Sequence, residues 1–128
     1  MTRLNILFVC SKNKWRSSTA EAIYRHDTRL NVRSAGTSAS AKKRISEKDI
    51  NWTDLILVME NKHKKRIISE YNHLVLPQIM ILDIPDEYQY MNEELISIIE
   101  TSVENILDDM ISIEQSAIAL SATIKYKK

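Results

Sequence analysis

The sequence predicts an α/β domain in three layers, a four-stranded parallel sheet with helices on both faces. Three observations carry this. Leu4 to Val9 is a short apolar run rich in β-formers, followed by a polar loop and then a helix-start pattern. Asn31 to Ala35 is a second such run, at a spacing that makes strand, helix and strand a right-handed parallel unit. Two further runs, Asp54 to Met59 and Gln78 to Ile84, alternate with helical segments, the order expected of a parallel sheet.

The first strand leads into the stretch that carries chemistry, Cys10-Ser11-Lys12-Asn13-Lys14-Trp15-Arg16-Ser17. A helix is expected to begin at Ser18, because Ser18 and Glu21 are spaced as a capping box ahead of Ala22, Ile23 and Tyr24. A strand feeding a loop feeding a helix turns backbone N–H groups and the positive end of the helix dipole toward the loop, which makes an anion site. Positive charge there favours the cysteine thiolate, the nucleophilic form. Arg16, separated from the cysteine by five residues, can hold two phosphate oxygens through its planar fork. Ser17 is placed to hydrogen-bond the sulfur.

The C-x5-R-S loop, the I-L-F-V-C strand before it and the T-A-E-A-I-Y-R after it resemble the signature of the low-molecular-weight protein tyrosine phosphatases. The resemblance implies Cys10 as nucleophile, Arg16 as phosphate clamp, Ser17 as thiolate support and Asn13 as the residue bracing the loop. Ser11, Lys12, Asn13, Lys14, Trp15, Arg16 and Ser17 are then the expected phosphate-binding residues. It also implies a strand order of 2-1-3-4. Three positions depart: Lys12 stands where the family has glycine, Trp15 where it has a second cysteine, and Ser18 where it has proline. If Lys12 takes a glycine conformation, it carries backbone strain. The family resemblance covers roughly residues 3 to 108.

After the second strand, Ser34-Ala35-Gly36-Thr37-Ser38 resembles the family segment that braces the phosphate loop, with Gly36 expected in a tight turn. Ala39 to Ile45, with Lys42, Lys43 and Arg44, reads as a solvated basic loop where the family has a longer, partly helical segment. Ser46 caps a short helix leading to Trp52. Glu60 to Tyr71 reads as a helix with Ile67 and Ile68 inward and a solvated basic face. His63 and His73 lack partners at metal-ligand spacing and are expected at the surface. Asn92 to Asp109 is the clearest helix, with apolar residues at three- and four-residue spacing. Residues 1–110 form the phosphatase-like domain; residues 111–128 form a tail that extends this helix or makes another, its end fraying.

Phosphate-ester cleavage by a thiolate needs an acid for the leaving oxygen. The loop Leu82-Asp83-Ile84-Pro85-Asp86-Glu87-Tyr88-Gln89-Tyr90 is where the family carries an Asp-Pro pair and tyrosines. Aligning on Pro85 makes Asp86 the acid; aligning on Asp83 is the alternative. Asp86 is favoured because it keeps the distance to the following helix. Tyr88 and Tyr90 are expected to flank an aromatic leaving group by stacking.

Composition bounds the rest. The 128 residues suffice for one domain, 44% hydrophobic, and the formal net charge of +1 offers nothing global for nucleic acid or a membrane. A single cysteine excludes an internal disulfide and suits a reducing, cytoplasmic setting. No signal peptide, membrane span or repeat is read, and no cofactor or metal is expected. The expected function is hydrolysis of a phosphomonoester, of a phosphorylated protein or a small aryl phosphate, through a phosphocysteine. The alternative is a phosphate- or phosphopeptide-binding module of the same fold with little turnover. Arsenate reduction is disfavoured because no further cysteine is present to resolve the thiol intermediate.

Overall fold

The computed structural model describes residues 3–125, with side chains described to residue 120. The elements are β1 (Leu4–Cys10), α1 (Arg16–Tyr24), β2 (Leu30–Gly36), α2 (Glu47–Trp52), β3 (Leu55–Val58), α3 (Asn61–Glu70), β4 (Gln78–Ile81) and α4 (Glu93–Lys125). The sheet is parallel throughout, in the order β2-β1-β3-β4. The expected fold is borne out, strand order included.

Alternation along the two central strands builds both cores. Ile6, Phe8, Leu55 and Leu57 face one side and pack with Ala20 and Tyr24 of α1 and Leu95, Ile99, Val103 and Leu107 of α4. Leu7, Val9, Ile56 and Val58 face the other and pack with Ile50 of α2 and Ile67 of α3. A strand buried on both faces reads as a continuous apolar run, which is what β1 and β3 show. Tyr24 donates to Glu104 at 2.9 Å, and Arg29 reaches the same carboxylate at 3.0 Å, tying α4 to the helix layer.

Several boundaries move, each for a physical reason. β4 ends at Ile81, because Asp83 takes φ 59°, a left-handed conformation no strand can hold. α1 begins at Arg16, two residues early, with Trp15 as its N-cap. Ser18 therefore lies inside the first turn and donates to the Asn13 carbonyl at 2.7 Å, while Glu21 accepts from Ser34 and Lys43. The capping box expected of Ser18 and Glu21 does not form; the one at Ser46 and Asp49 does. On α3 the inward positions are His63 and Ile67, four apart, and Ile68 is 44% exposed rather than inward. The tail extends α4 without a break, to a helix of 33 residues, about 50 Å long at 1.5 Å per residue. Residues 111–120 are exposed throughout. Among the described residues no helix is long and apolar enough to cross a membrane; the end of the tail, residues 126–128, lies outside the description.

Candidate active site

Cys10 closes β1 and α1 opens at Arg16, so the intervening loop lies across the first-turn amides of α1. The Cys10 sulfur sits 3.0 Å from Ser17 Oγ. Ser17 Oγ accepts from Asn13 Nδ2 at 2.8 Å, and its own proton has two acceptors in reach, the sulfur at 3.0 Å and the Ala35 carbonyl at 3.4 Å. Asn13 is fully buried and adopts φ 54°, a left-handed conformation that asparagine tolerates better than most residues. The loop's sharp bend thus falls on Asn13, and the strain expected at Lys12 does not arise.

The segment after β2 stitches this loop in place. Thr37 N donates to Cys10 O at 3.0 Å, Ser38 N to Ser11 O at 2.8 Å and Lys42 N to Lys12 O at 2.9 Å. Gly36 is no positive-φ turn; it supplies room. A Cβ there would lie 2.5 Å from Ser11 O and 2.6 Å from Ala41 Cβ. The basic residues 42–44 are exposed as expected, but their backbone is part of the brace.

Arg16 is 2% exposed. Its Nη1 donates to Glu60 Oε2 at 2.8 Å and to Ile84 O at 2.7 Å. Both Nη1 protons are used, and the Nε and Nη2 edge remains for a bidentate contact. The hydrogen bond from Arg16 holds the Glu60 carboxyl below the usual range. His63 corrects an expectation: it is 1% exposed, not at the surface. Its Nδ1 accepts from Glu60 N at 3.0 Å, so the ring proton sits on Nε2, which lies 2.9 Å from Ser11 Oγ. Ser11 Oγ accepts the hydrogen bond from Nε2–H and keeps its own proton for the cleft. Burial, with the Arg16 charge second, pushes the histidine down to about 4, so it is neutral at pH 7. His73 is exposed and pairs with Glu47 at 3.1 Å.

A cleft of about 350 Å³ opens over the loop. Cys10, Ser11, Lys12, Lys14, Trp15 and Arg16 line it, joined by Lys62 and Asp86. Asp86 is thus at the rim, its Oδ1 3.7 Å from Arg16 Nε, while Asp83 does not line the cleft. Ile84, two residues before Asp86, is buried and held through its carbonyl by Arg16. Lys62, read as part of a solvated face, enters the cleft, 3.6 Å from Glu60. Neither tyrosine lines the cleft: Tyr88 packs against the core and Tyr90 lines a neighbouring depression. Asn13 and Ser17 support the loop from beneath. Sequence reasoning missed Glu60, His63 and Lys62; the signal for His63 was its place four residues before Ile67 on one helix face. No group of metal-ligating side chains occurs among the described residues.

A family model described as low molecular weight phosphotyrosine protein phosphatase matches residues 5–52, from β1 to the end of α2, with the whole loop inside. The resemblance read from the loop is borne out. No curated protein matches the chain. Among solved structures, SP-PTP, a low molecular weight protein tyrosine phosphatase from Streptococcus pyogenes, superposes with a TM-score of 0.70 at 20% identity, over 83% of this chain and 92% of that one. Wzb from Vibrio vulnificus, solved in complex with benzylphosphonate, gives 0.65 at 21%, over 84% and 99%. The YwlE arginine phosphatase from Geobacillus stearothermophilus gives 0.62 at 18%, over 85% and 96%. At these identities the likenesses show a common fold.

Proposed function

From a chain with the fold and the phosphate loop of the low molecular weight phosphotyrosine phosphatases, we propose a cysteine-dependent phosphatase that hydrolyses a phosphomonoester. One observation carries the reading: the Cys10 sulfur, the free edge of Arg16 and the Asp86 carboxyl line one cleft, with Ser17 on the sulfur. In the first step the Cys10 thiolate attacks phosphorus in line and the phosphorus–oxygen ester bond breaks. Arg16, the loop amides and the Ser11 hydroxyl hold the equatorial oxygens, where charge develops. Asp86 gives its proton to the leaving oxygen. In the second step the Asp86 carboxylate takes a proton from water, the water oxygen attacks the phosphocysteine, and phosphate leaves with the thiolate restored.

The substrate is phosphotyrosine or another aryl phosphate. Trp15, half-buried on the cleft wall, offers the aromatic face that Tyr88 and Tyr90 were expected to supply. A single cysteine that must stay reduced suits the cytoplasm. Turnover of a generic aryl phosphate, lost in Cys10→Ser, tests the reading; a phosphoarginine peptide run beside it tests the ester class, since one fold neighbour is an arginine phosphatase. One observation favours a binding module with little turnover: Asp86 is 59% exposed and holds only a long contact to Arg16. Phosphate binding with no turnover by the unmodified protein would select that reading.

A further inference from the structure

We propose that a second anion subsite adjoins the catalytic cleft, formed by Lys14, Arg25 and Lys42, and that it takes a carboxylate or second phosphoryl group of the same phosphopeptide. The subsite is a depression of about 390 Å³. Lys14 lines both it and the cleft over Cys10, so the two share a wall. Four cations surround it against one acid, Glu21. That acid is already committed: it pairs with Lys43 at 3.1 Å and accepts from Ser34 at 2.9 Å. Arg25 and Lys42 are exposed and have no acidic partner within 4 Å among the described residues. The Lys14 ammonium lies 4.9 Å from the centre of the Trp15 ring, a contact that positions its charge without neutralising it. Lys42 is tied through its backbone N–H to Lys12 O, which fixes the base of its side chain relative to the phosphate loop. In a chain of net charge +1, three uncommitted cations beside a phosphate site are a local concentration and not a general basicity.

The proposal rests on the reading of Cys10 to Ser17 as a phosphate site, and deepens it to a substrate class, acidic or multiply phosphorylated peptides. Its test is binding, so it stands apart from turnover. The Cys10→Ser protein is titrated with a phosphotyrosine peptide of neutral flanks and with a set carrying one glutamate, or one further phosphotyrosine, at each of three positions on either side. One register should bind roughly tenfold tighter than the neutral peptide, the sum expected of a few exposed charge pairs. The further phosphotyrosine should exceed glutamate there, having more charge. In Cys10→Ser carrying Arg25→Gln and Lys42→Gln, the ratio of charged to neutral peptide should fall to about one. A flat series, a preference equal at every register, a preference that survives the double substitution, or no peptide binding at all would each overturn the subsite. Aryl phosphate turnover with a flat series would leave the enzyme reading standing; a register preference without turnover would do the reverse.

Discussion

The loop that follows Cys10, proposed to bind phosphate, and the loop that carries Asp86, proposed as the acid, meet over one cleft and are built in opposite ways. The first is held from every side: Asn13 and Ser17 from within, Thr37, Ser38 and Lys42 through backbone bonds, Glu60 and Ile84 through Arg16, His63 through Ser11. Cys10, Asn13, Arg16 and Ser17 are all buried. The second is held at three points, by Ile84 N to Met59 O at 2.8 Å, by Tyr88 against the core and by Met91 N to Thr19 Oγ1 at 3.0 Å, with Asp86 exposed between. The difference suits the two tasks proposed for them. Stabilising charge on three phosphoryl oxygens requires donors fixed before the reaction, since reorganising them would cost part of the gain. Delivering a proton requires reach toward leaving groups of different shape, and then retreat to admit water.

The largest effects should come from the rigid half. Cys10→Ser should abolish turnover, by on the order of 10⁵-fold or more as for other lost nucleophiles. It should still bind phosphate, because the amides and Arg16 survive. Arg16→Ala should lose phosphate affinity and rate together, since the clamp acts in ground and transition states alike. Phosphate binding by calorimetry beside turnover separates the two; equal phosphate affinity in all three proteins would remove Arg16 from its role.

The same half should fail irreversibly under oxidant. Peroxide converts the thiolate to a sulfenic acid, and with one cysteine in the sequence no disulfide forms within the chain to protect it. Strong oxidation should leave an activity that thiol reductant recovers only in part, with sulfinic acid on Cys10 by mass spectrometry. Full recovery would show that another protection operates.

The exposed half should show a graded effect. Asp86→Asn should slow poor leaving groups about 10²–10⁴-fold and good ones much less, because only the former need the proton. Asp83→Asn should change neither. A uniform deficit in Asp86→Asn would move the acid elsewhere and undo the contrast between the loops.

What was legible in the sequence divides along this line. β1, its loop and α1 could be read because a strand buried on both faces is a continuous apolar run and the loop's residue types state their chemistry. The choice of Asp86 over Asp83 rests on chain length to the next helix. The structure adds that Asp86 and not Asp83 lines the cleft, with Asp83 at φ 59° and Ile84 buried between them, neither of which composition encodes. The start of α1 was misplaced because Ser18 and Glu21 fit a local pattern, while Ser18 donates to the Asn13 carbonyl and Glu21 accepts from Ser34 and Lys43, which claims both side chains. Gly36 was recognised as special for the wrong reason: the close approach of Ser11 O is a contact between segments 25 residues apart. His63 was missed because a metal-ligand search asks for other ligands, and the residue's partner is a serine from β1's loop.

His63 also yields the smallest effect that still distinguishes the two halves. It braces the phosphate loop through Ser11 and caps the start of α3 through Glu60 N, and it is held neutral by burial and by the Arg16 charge, against the opposing charges of Glu60 and Asp86 and with a further push from Lys62. Its ordinary value is 6.5 and its native value about 4. Between these the unfolded chain binds a proton that the folded chain refuses, so stability rises with pH across that window. The contribution is complete above 6.5 and fades as pH falls toward 4, by at most ~3 kcal/mol for a shift of this size. Glu60, held below its ordinary range by Arg16, adds a loss of the same sign that begins lower, where free carboxylates protonate. His63→Gln removes the first contribution and leaves the second. Denaturant midpoints at pH 7, 6 and 5 should therefore fall steeply for the unmodified protein and more shallowly for His63→Gln, while Asp86→Asn, which removes the weakest of the opposing charges, should fall at least as steeply as the unmodified protein. Parallel curves for all three would mean that the buried ring does not govern the acid response. The tight bracing of the phosphate loop would then carry no dependence on His63 protonation.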